Sequence, residues 1–149
     1  MKQQKRILLI GVGSTIRGDD GIGAYICSCI SNMQLPAVKV VTVHQADSNL
    51  TDDINAADIV IIADAAVEGN GVSFTRIDSS DPAGVTSGHY MNAALLLQIT
   101  KLLHGHEPEL YVCSVTGYSF EMTEQLSPAA KKNADKAVGI ISTWIRDNS

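Results

Sequence analysis

Short apolar runs alternate along the chain with segments in which apolar residues recur at helical spacing. Three runs, at residues 6–11, 59–63 and 109–115, are typical of strands buried in a parallel sheet, and a fourth, at 38–43, is also predicted to be a strand. A fifth run, at 72–77, alternates apolar with polar residues, which predicts a half-exposed edge strand. Helices are predicted over about 21–32, around 50–57, from about 89, and from 128, where Ser127-Pro128 is a helix start signal.

This alternation predicts an α/β fold, with a twisted, mainly parallel sheet of about five strands and helices on both faces. The chain has 149 residues, which fits one domain spanning 1–149. Because 45% of the residues are apolar and only 18% are charged, the composition excludes a disordered chain.

The charge and composition limit the kinds of binding partner that the sequence predicts. Eleven Lys and Arg stand against 16 Asp and Glu, a net charge of −5, which argues against a broad nucleic-acid or anionic-membrane surface. No apolar stretch approaches the ~20 residues of a membrane helix, and the basic N-terminus lacks the pattern of a signal peptide. We therefore expect a soluble, cytoplasmic protein and, as the simplest state, a monomer.

Three cysteines are an odd number and indicate no disulfide framework. Cys27 and Cys29 lie in a predicted helix, and Cys113 lies in a predicted strand. All three are predicted to be small core residues.

Three loops with polar side chains follow strands or precede a helix at one edge of the predicted sheet. The first loop, at 11–23, is rich in glycine and contains Asp19 and Asp20, the second begins with Asp64, and the third ends with His89. In an open α/β sheet, ligands bind beyond the carboxyl ends of the strands, so these loops are the candidate site.

The glycine loop matches neither common phosphate motif. A dinucleotide fingerprint starting at Gly11 requires glycine at its sixth position, where this chain has Ile16. A Walker loop ending at Gly18 requires Lys next, but Asp19 and Asp20 follow and would repel a phosphate. A nucleotide-binding domain is therefore the weaker alternative.

Carboxylate and imidazole groups together favour a transition metal. Asp20, Asp64 and His89 would form an open site with two oxygen ligands and one nitrogen ligand. The residues also allow a plainer interpretation, in which Asp19 or Asp20 caps a helix, Asp64 lies in a turn and His89 is an ordinary histidine.

Residues 10–23 resemble the N-terminal signature of the hydrogenase maturation proteases, the endopeptidases that process the large subunit of nickel–iron hydrogenases. The segment 60–65 is similar to the second motif of that family, a strand ending in Asp-Ala, and 86–89 matches its histidine loop. Residues 111–115 and 126–128 resemble its last strand and the start of its last helix, so the resemblance spans nearly the whole chain.

The resemblance implies a site and a reaction. Asp20, Asp64 and His89 would be catalytic and would bind nickel, which the substrate and not a resident cofactor would supply, and Asp19 would be a supporting or capping residue. The partner would be the large-subunit precursor, from which one cut removes a C-terminal extension. Because no serine lies in a G-x-S-x-G elbow, the metal or a carboxylate would activate water. A metal-binding checkpoint or chaperone without hydrolysis is the main alternative.

Two loops depart from the family pattern. Ser14 stands where many members have Asn, and His44-Gln45 stands where many have Gly-Gly or Gly-Thr. The second loop would help to select the partner, and His44 is either an auxiliary substrate contact or an exposed loop histidine. His104 and His106, near the end of a predicted helix, are expected to have no role in the reaction.

Overall fold

A computed structural model describes residues 4–80 and 93–149, and its centre is a five-stranded sheet with the strand order β2-β1-β3-β5-β4. The strands are β1 (Ile7–Val12), β2 (Val38–Val43), β3 (Ile59–Ala66), β4 (Val72–Ile77) and β5 (Glu109–Thr116). Neighbouring strands are parallel, except that the edge strand β4 runs antiparallel to β5. The predicted α/β fold and the edge position of residues 72–77 are confirmed.

Helices cover both faces of the sheet. They are α1 (Ile22–Asn32), α2 (Thr51–Asn55), α3 (Ala93–His104) and α4 (Pro128–Asn148). Leu9 and Ile61 on one face join the apolar side chains of α1 and α4, whereas Leu8 and Val60 on the other face join those of α2 and α3. Burying an aliphatic side chain of this size stabilises the folded state by roughly 1.5–3 kcal/mol. Because both faces of the central strands are buried in this way, their sequences are continuously apolar.

The helix boundaries agree with the periodicity in the sequence. Ser127 is the N-cap of α4, its side chain accepts a hydrogen bond from the Ala130 nitrogen at 3.3 Å, and Pro128 occupies the first turn. The start of α3, predicted near residue 89, lies outside the described residues. None of the helices in the described part of the chain is long and apolar enough to cross a membrane.

The start of α1 packs closely against the strand ends. A Cβ atom at Gly23 would lie 2.7 Å from both the Ala63 carbonyl oxygen and the Val12 nitrogen, so only glycine fits there. This contact brings the first turn of α1 directly onto β1 and β3. It also explains part of the glycine content of the loop by packing, without a phosphate.

Candidate functional site

Asp20 and Asp64 lie on two contacting elements at the carboxyl ends of the parallel strands. Asp64 is in register with Val12, the last residue of β1, and the 3-10 turn that contains Asp20 (Gly18–Gly21) contacts β3. Asp20 Oδ2 accepts a hydrogen bond of 2.7 Å from the backbone nitrogen of Ser14. Both residues are almost inaccessible, with 1% and 2% exposure. The structure therefore brings these two predicted site residues to the same edge of the sheet.

The plainer interpretation of these aspartates is wrong for two of its parts. β3 continues to Ala66, past the predicted end at residue 63, so Asp64 lies within a strand and not in a turn. The N-cap of α1 is Gly21, so neither Asp19 nor Asp20 occupies that position. The strand was expected to end before Asp64, but its pairing with β5 continues to Ala66, which lies opposite Thr116.

His89, with its loop 86–89, lies outside the described residues, so its place in the site stays a prediction. Within residues 4–80 and 93–149, no three His, Cys, Asp or Glu side chains converge as a metal site. The end of α3 lies near the amino ends of the strands, where His106 Nε2 is 3.0 Å from the Ala57 carbonyl oxygen. Because the helix is about 18 Å long, Ala93 begins it toward the opposite, carboxyl edge.

Asp19 is a buried, ionised anchor beside Asp20. Its carboxylate accepts four hydrogen bonds of 2.7–2.8 Å, from the nitrogens of Tyr118, Ser119 and Ser127 and from the Ser127 hydroxyl. Burial acts to raise the pKa of Asp19, but the four donors outweigh it and hold the pKa below its usual value. Asp19 thus supports the loop between β5 and α4, in agreement with a supporting role.

An open depression of about 530 Å³ lies beside Asp20. Its lining residues come from the loops after β1 and β2, and they are Ser14, Arg17, Asp20, His44, Gln45 and Asp47. The structure therefore brings the His44-Gln45 pair next to a candidate metal ligand. Arg17 and Asp47 were missed as lining residues, although β1 and β2 are neighbours and their following loops share one edge of the sheet.

A larger depression, of about 630 Å³, lies at the opposite edge and includes Arg6, Asp58, His106 and Glu107. Arg6 and Asp58 form an ion pair there at 3.3 Å, and this pair fastens the start of β1 to the start of β3. We assign the site to the smaller depression because parallel sheets bind ligands at the carboxyl ends of their strands. His104 Nε2 lies 3.2 Å from Asp52, in a surface contact away from that edge.

The thiols in the core are not activated nucleophiles. Cys27 and Cys113 are buried as predicted, and Cys29 is partly buried. Burial raises the pKa of the Cys27 thiol to about 12, even with a backbone donor at Gly11, and it raises the pKa of Cys113 to about 12 as well. A reactive cysteine has a lowered pKa, so neither thiol is suited to nucleophilic catalysis near neutral pH.

Solved structures with the same fold include proteins named as hydrogenase maturation proteases. The hydrogenase maturating endopeptidase HybD from E. coli superposes with a TM-score of 0.78 at 24% identity, over 95% of this chain and 93% of that one. An endopeptidase from Escherichia coli gives a TM-score of 0.77 at 27% identity, with the same coverages. The NiFe hydrogenase maturation protease HybD from Thermococcus kodakarensis gives 0.77 at 20% identity, over 94% and 99%.

No protein-family model and no curated protein sequence matches the chain. The likeness therefore rests on three-dimensional structure at low sequence identity. In each comparison the superposition covers nearly the full length of both proteins, so the resemblance drawn from the loop motifs is confirmed at the level of the fold.

Proposed function

We propose that this protein is an endopeptidase that removes a C-terminal extension from the large-subunit precursor of a nickel–iron hydrogenase. One observation carries the proposal: Asp20 and Asp64 are buried together at the ligand-binding edge of a fold that is shared with hydrogenase maturation proteases. The match at 27% identity to a structure named as an endopeptidase supports the same class of activity.

The metal enters with the substrate. Nickel held by the precursor is bound by the carboxylates of Asp20 and Asp64 and by the imidazole of His89. Carboxylate oxygen and imidazole nitrogen atoms suit a borderline divalent cation. A metal-loaded precursor brings positive charge to this pair of carboxyl side chains, which favours it over a metal-free one.

The surroundings of the two aspartates suit a protein substrate. The depression lined by Arg17, His44 and Gln45 is open and polar, as a binding site for an extended peptide segment must be. Exposed apolar side chains lie in the loops that follow β1, β3 and β5, namely Ile16, Val67, Tyr118 and Met122. Exposed apolar patches on a protein often mark surfaces that bind other proteins, so these side chains are candidates for contact with the precursor.

The chemistry is hydrolysis of one peptide bond. Water adds across the bond, so that hydroxide joins the carbonyl carbon and the leaving nitrogen gains a proton. Binding of the metal places the scissile bond at the edge of the sheet. Such positioning lowers the activation barrier, because the entropy cost of bringing the reacting groups together has already been met. The buried thiols of Cys27 and Cys113 take no part.

A processing assay tests the proposal. Purified protein is incubated with nickel-loaded large-subunit precursor, and the mass of the large subunit is followed by mass spectrometry. We expect a shortened subunit with the loaded precursor and an unchanged one with nickel-free precursor. An intact precursor in a stable complex would instead identify a non-hydrolytic checkpoint, and neither cleavage nor binding would overturn the proposal.

A further inference from the structure

The turn that carries Asp20 and the loop between β5 and α4 (residues 117–127) are fastened together through Asp19. Asp19 Oδ2 accepts hydrogen bonds from the Tyr118 nitrogen at 2.7 Å and from the Ser119 nitrogen at 2.8 Å. Ser127 adds its hydroxyl to Oδ2 and its nitrogen to Oδ1, both at 2.7 Å. One fully buried side chain therefore holds both ends of a loop about 100 residues away in sequence.

Backbone hydrogen bonds run in the opposite direction across the same junction. The Asp19 nitrogen donates to the Ser119 carbonyl oxygen, and the Gly18 nitrogen donates to the Thr123 carbonyl oxygen, each at 2.8 Å. The turn and the loop are thus bonded both ways, like two paired strands. Displacement of one segment must displace the other.

Close packing leaves little room at this junction. A Cβ atom at Gly117 would lie 2.8 Å from the Cβ atom of Asp19. Such a distance is too short for two carbon atoms, so the loop can approach Asp19 only because residue 117 is glycine.

The position of Asp20 follows from this junction. Asp19 and Asp20 are adjacent in one short 3-10 turn, and their carboxylates have different partners: Asp19 bonds the β5–α4 loop, whereas Asp20 accepts from Ser14 after β1. With the backbone of Asp19 bonded on one side, the turn cannot rotate, and Asp20 is directed toward the loop after β1.

We infer that Asp19 is a positioning residue for the reaction, which fixes the direction of the Asp20 carboxylate and the place of the β5–α4 loop without contacting the substrate. This inference rests on the proposed function for its effect on cleavage, but its structural part can be measured independently. The loop that Asp19 holds contains the exposed side chains of Tyr118 and Met122, so the same bonds order part of the surface around the site.

Asp19→Asn is the decisive variant. Asparagine has nearly the same shape, but one of its two oxygens becomes an NH₂ group, which cannot accept a hydrogen bond from the donors around Asp19. Ser127→Ala is the milder variant, because it removes the hydroxyl donor and keeps all three backbone donors. Asp58→Asn is the matched control, since Asp58 also accepts a backbone hydrogen bond, from the Arg6 nitrogen at 2.8 Å, but lies at the opposite edge of the sheet.

Two readouts separate positioning from mere stability. The first is kcat and KM for the nickel-loaded precursor, measured per folded protein well below the unfolding temperature. We expect kcat to fall at least tenfold in Asp19→Asn, to fall less in Ser127→Ala and to stay unchanged in Asp58→Asn. The second is the backbone amide resonance of Ser14 in a ¹H–¹⁵N spectrum of the free protein, which reports the hydrogen bond to Asp20 and should shift in Asp19→Asn, shift less in Ser127→Ala and stay unchanged in Asp58→Asn.

An unchanged kcat in folded Asp19→Asn would overturn the inference while the proposed function stood. If the unmodified protein cleaves no precursor, the proposed function fails, and the Ser14 resonance then decides the role of Asp19: a shift supports positioning, and an unchanged resonance excludes it. If Asp19→Asn does not fold, the same two readouts are applied to Ser127→Ala.

Discussion

Ser127 donates two hydrogen bonds to Asp19, one from its backbone nitrogen and one from its hydroxyl, both at 2.7 Å. The same hydroxyl oxygen accepts a hydrogen bond from the Ala130 nitrogen and caps α4. One serine thus joins the start of the last helix to the turn between β1 and α1. Ser127 therefore contributes both to the stability of α4 and to the position of the turn that carries Asp19 and Asp20.

Loss of that hydroxyl should destabilise the fold. Ser127→Ala removes a cap and a hydrogen bond to a charged group, and we expect the free energy of unfolding in urea to fall by about 2–3 kcal/mol. Ser142→Ala is the control in the same helix, because the Ser142 hydroxyl donates a local hydrogen bond to the Gly139 carbonyl oxygen. That variant should change the free energy by less than about 1 kcal/mol. Equal losses in the two variants would contradict the dual role of Ser127.

Neutralising either candidate ligand should abolish cleavage and keep the fold. In Asp20→Asn the amide oxygen can still accept the hydrogen bond from Ser14, but the negative charge toward the metal is lost. We expect cleavage of the precursor to fall more than the ~10–100-fold that loss of an outer partner costs, in both Asp20→Asn and Asp64→Asn. Circular dichroism checks the fold, and Asp53→Asn, at a surface ion pair with Lys39, is the control. Full cleavage by both site variants would contradict their assignment as metal ligands.

His44 should affect substrate binding more than the chemical step. It lines the open depression beside Asp20, in the loop that follows β2. We expect His44→Ala to raise KM for the precursor severalfold with kcat nearly unchanged, because contacts made equally in the ground and transition states act on KM. His104→Ala, at the end of α3, should leave both constants unchanged. A fall in kcat without a change in KM would place His44 in the chemistry instead.

The buried thiols should resist alkylation in the native protein. With a pKa of about 12, Cys27 and Cys113 are ionised to only about one part in 10⁴ at pH 8. In a Cys29→Ala background, iodoacetamide should add no mass to the native protein and two groups after unfolding in urea, as read by mass spectrometry. Processing activity should survive the treatment, whereas rapid native labelling with loss of activity would point to a catalytic cysteine.

Acid should remove a small contribution that Asp58 makes to the stability of the fold, at the edge of the sheet opposite the candidate site. The Arg6 backbone nitrogen and guanidinium hold the pKa of Asp58 below its usual value, so the unfolded chain binds a proton more readily than the native one. The stabilisation is therefore present above the unfolded pKa and is lost as the pH falls through the folded one. We expect Asp58→Asn to be less stable than the unmodified protein at pH 7 and equally stable near pH 2, by urea unfolding at both values. A difference that stayed constant with pH would contradict this.

The fold was predictable where burial dictates the residue pattern. The short continuous apolar runs of β1 and β3 favour strands covered on both faces, and the alternation in 72–77 favours a half-exposed strand. The placement of Asp20 and Asp64 at one edge of the sheet was predictable because the carboxyl ends of parallel strands meet there. The four bonds of Asp19 were not, because they join residues about 100 positions apart and three of the donors are backbone groups, which carry no signal of residue type.

The antiparallel edge strand β4 also bears on how the molecule behaves in concentrated solution. One side of β4 is paired with β5, and Ser73, Thr75 and Arg76 keep their side chains in solvent. An edge strand of this kind discourages edge-to-edge pairing of sheets between molecules, because polar and charged groups oppose the addition of a further strand. Replacing these residues by apolar ones would create an edge prone to pairing with other molecules.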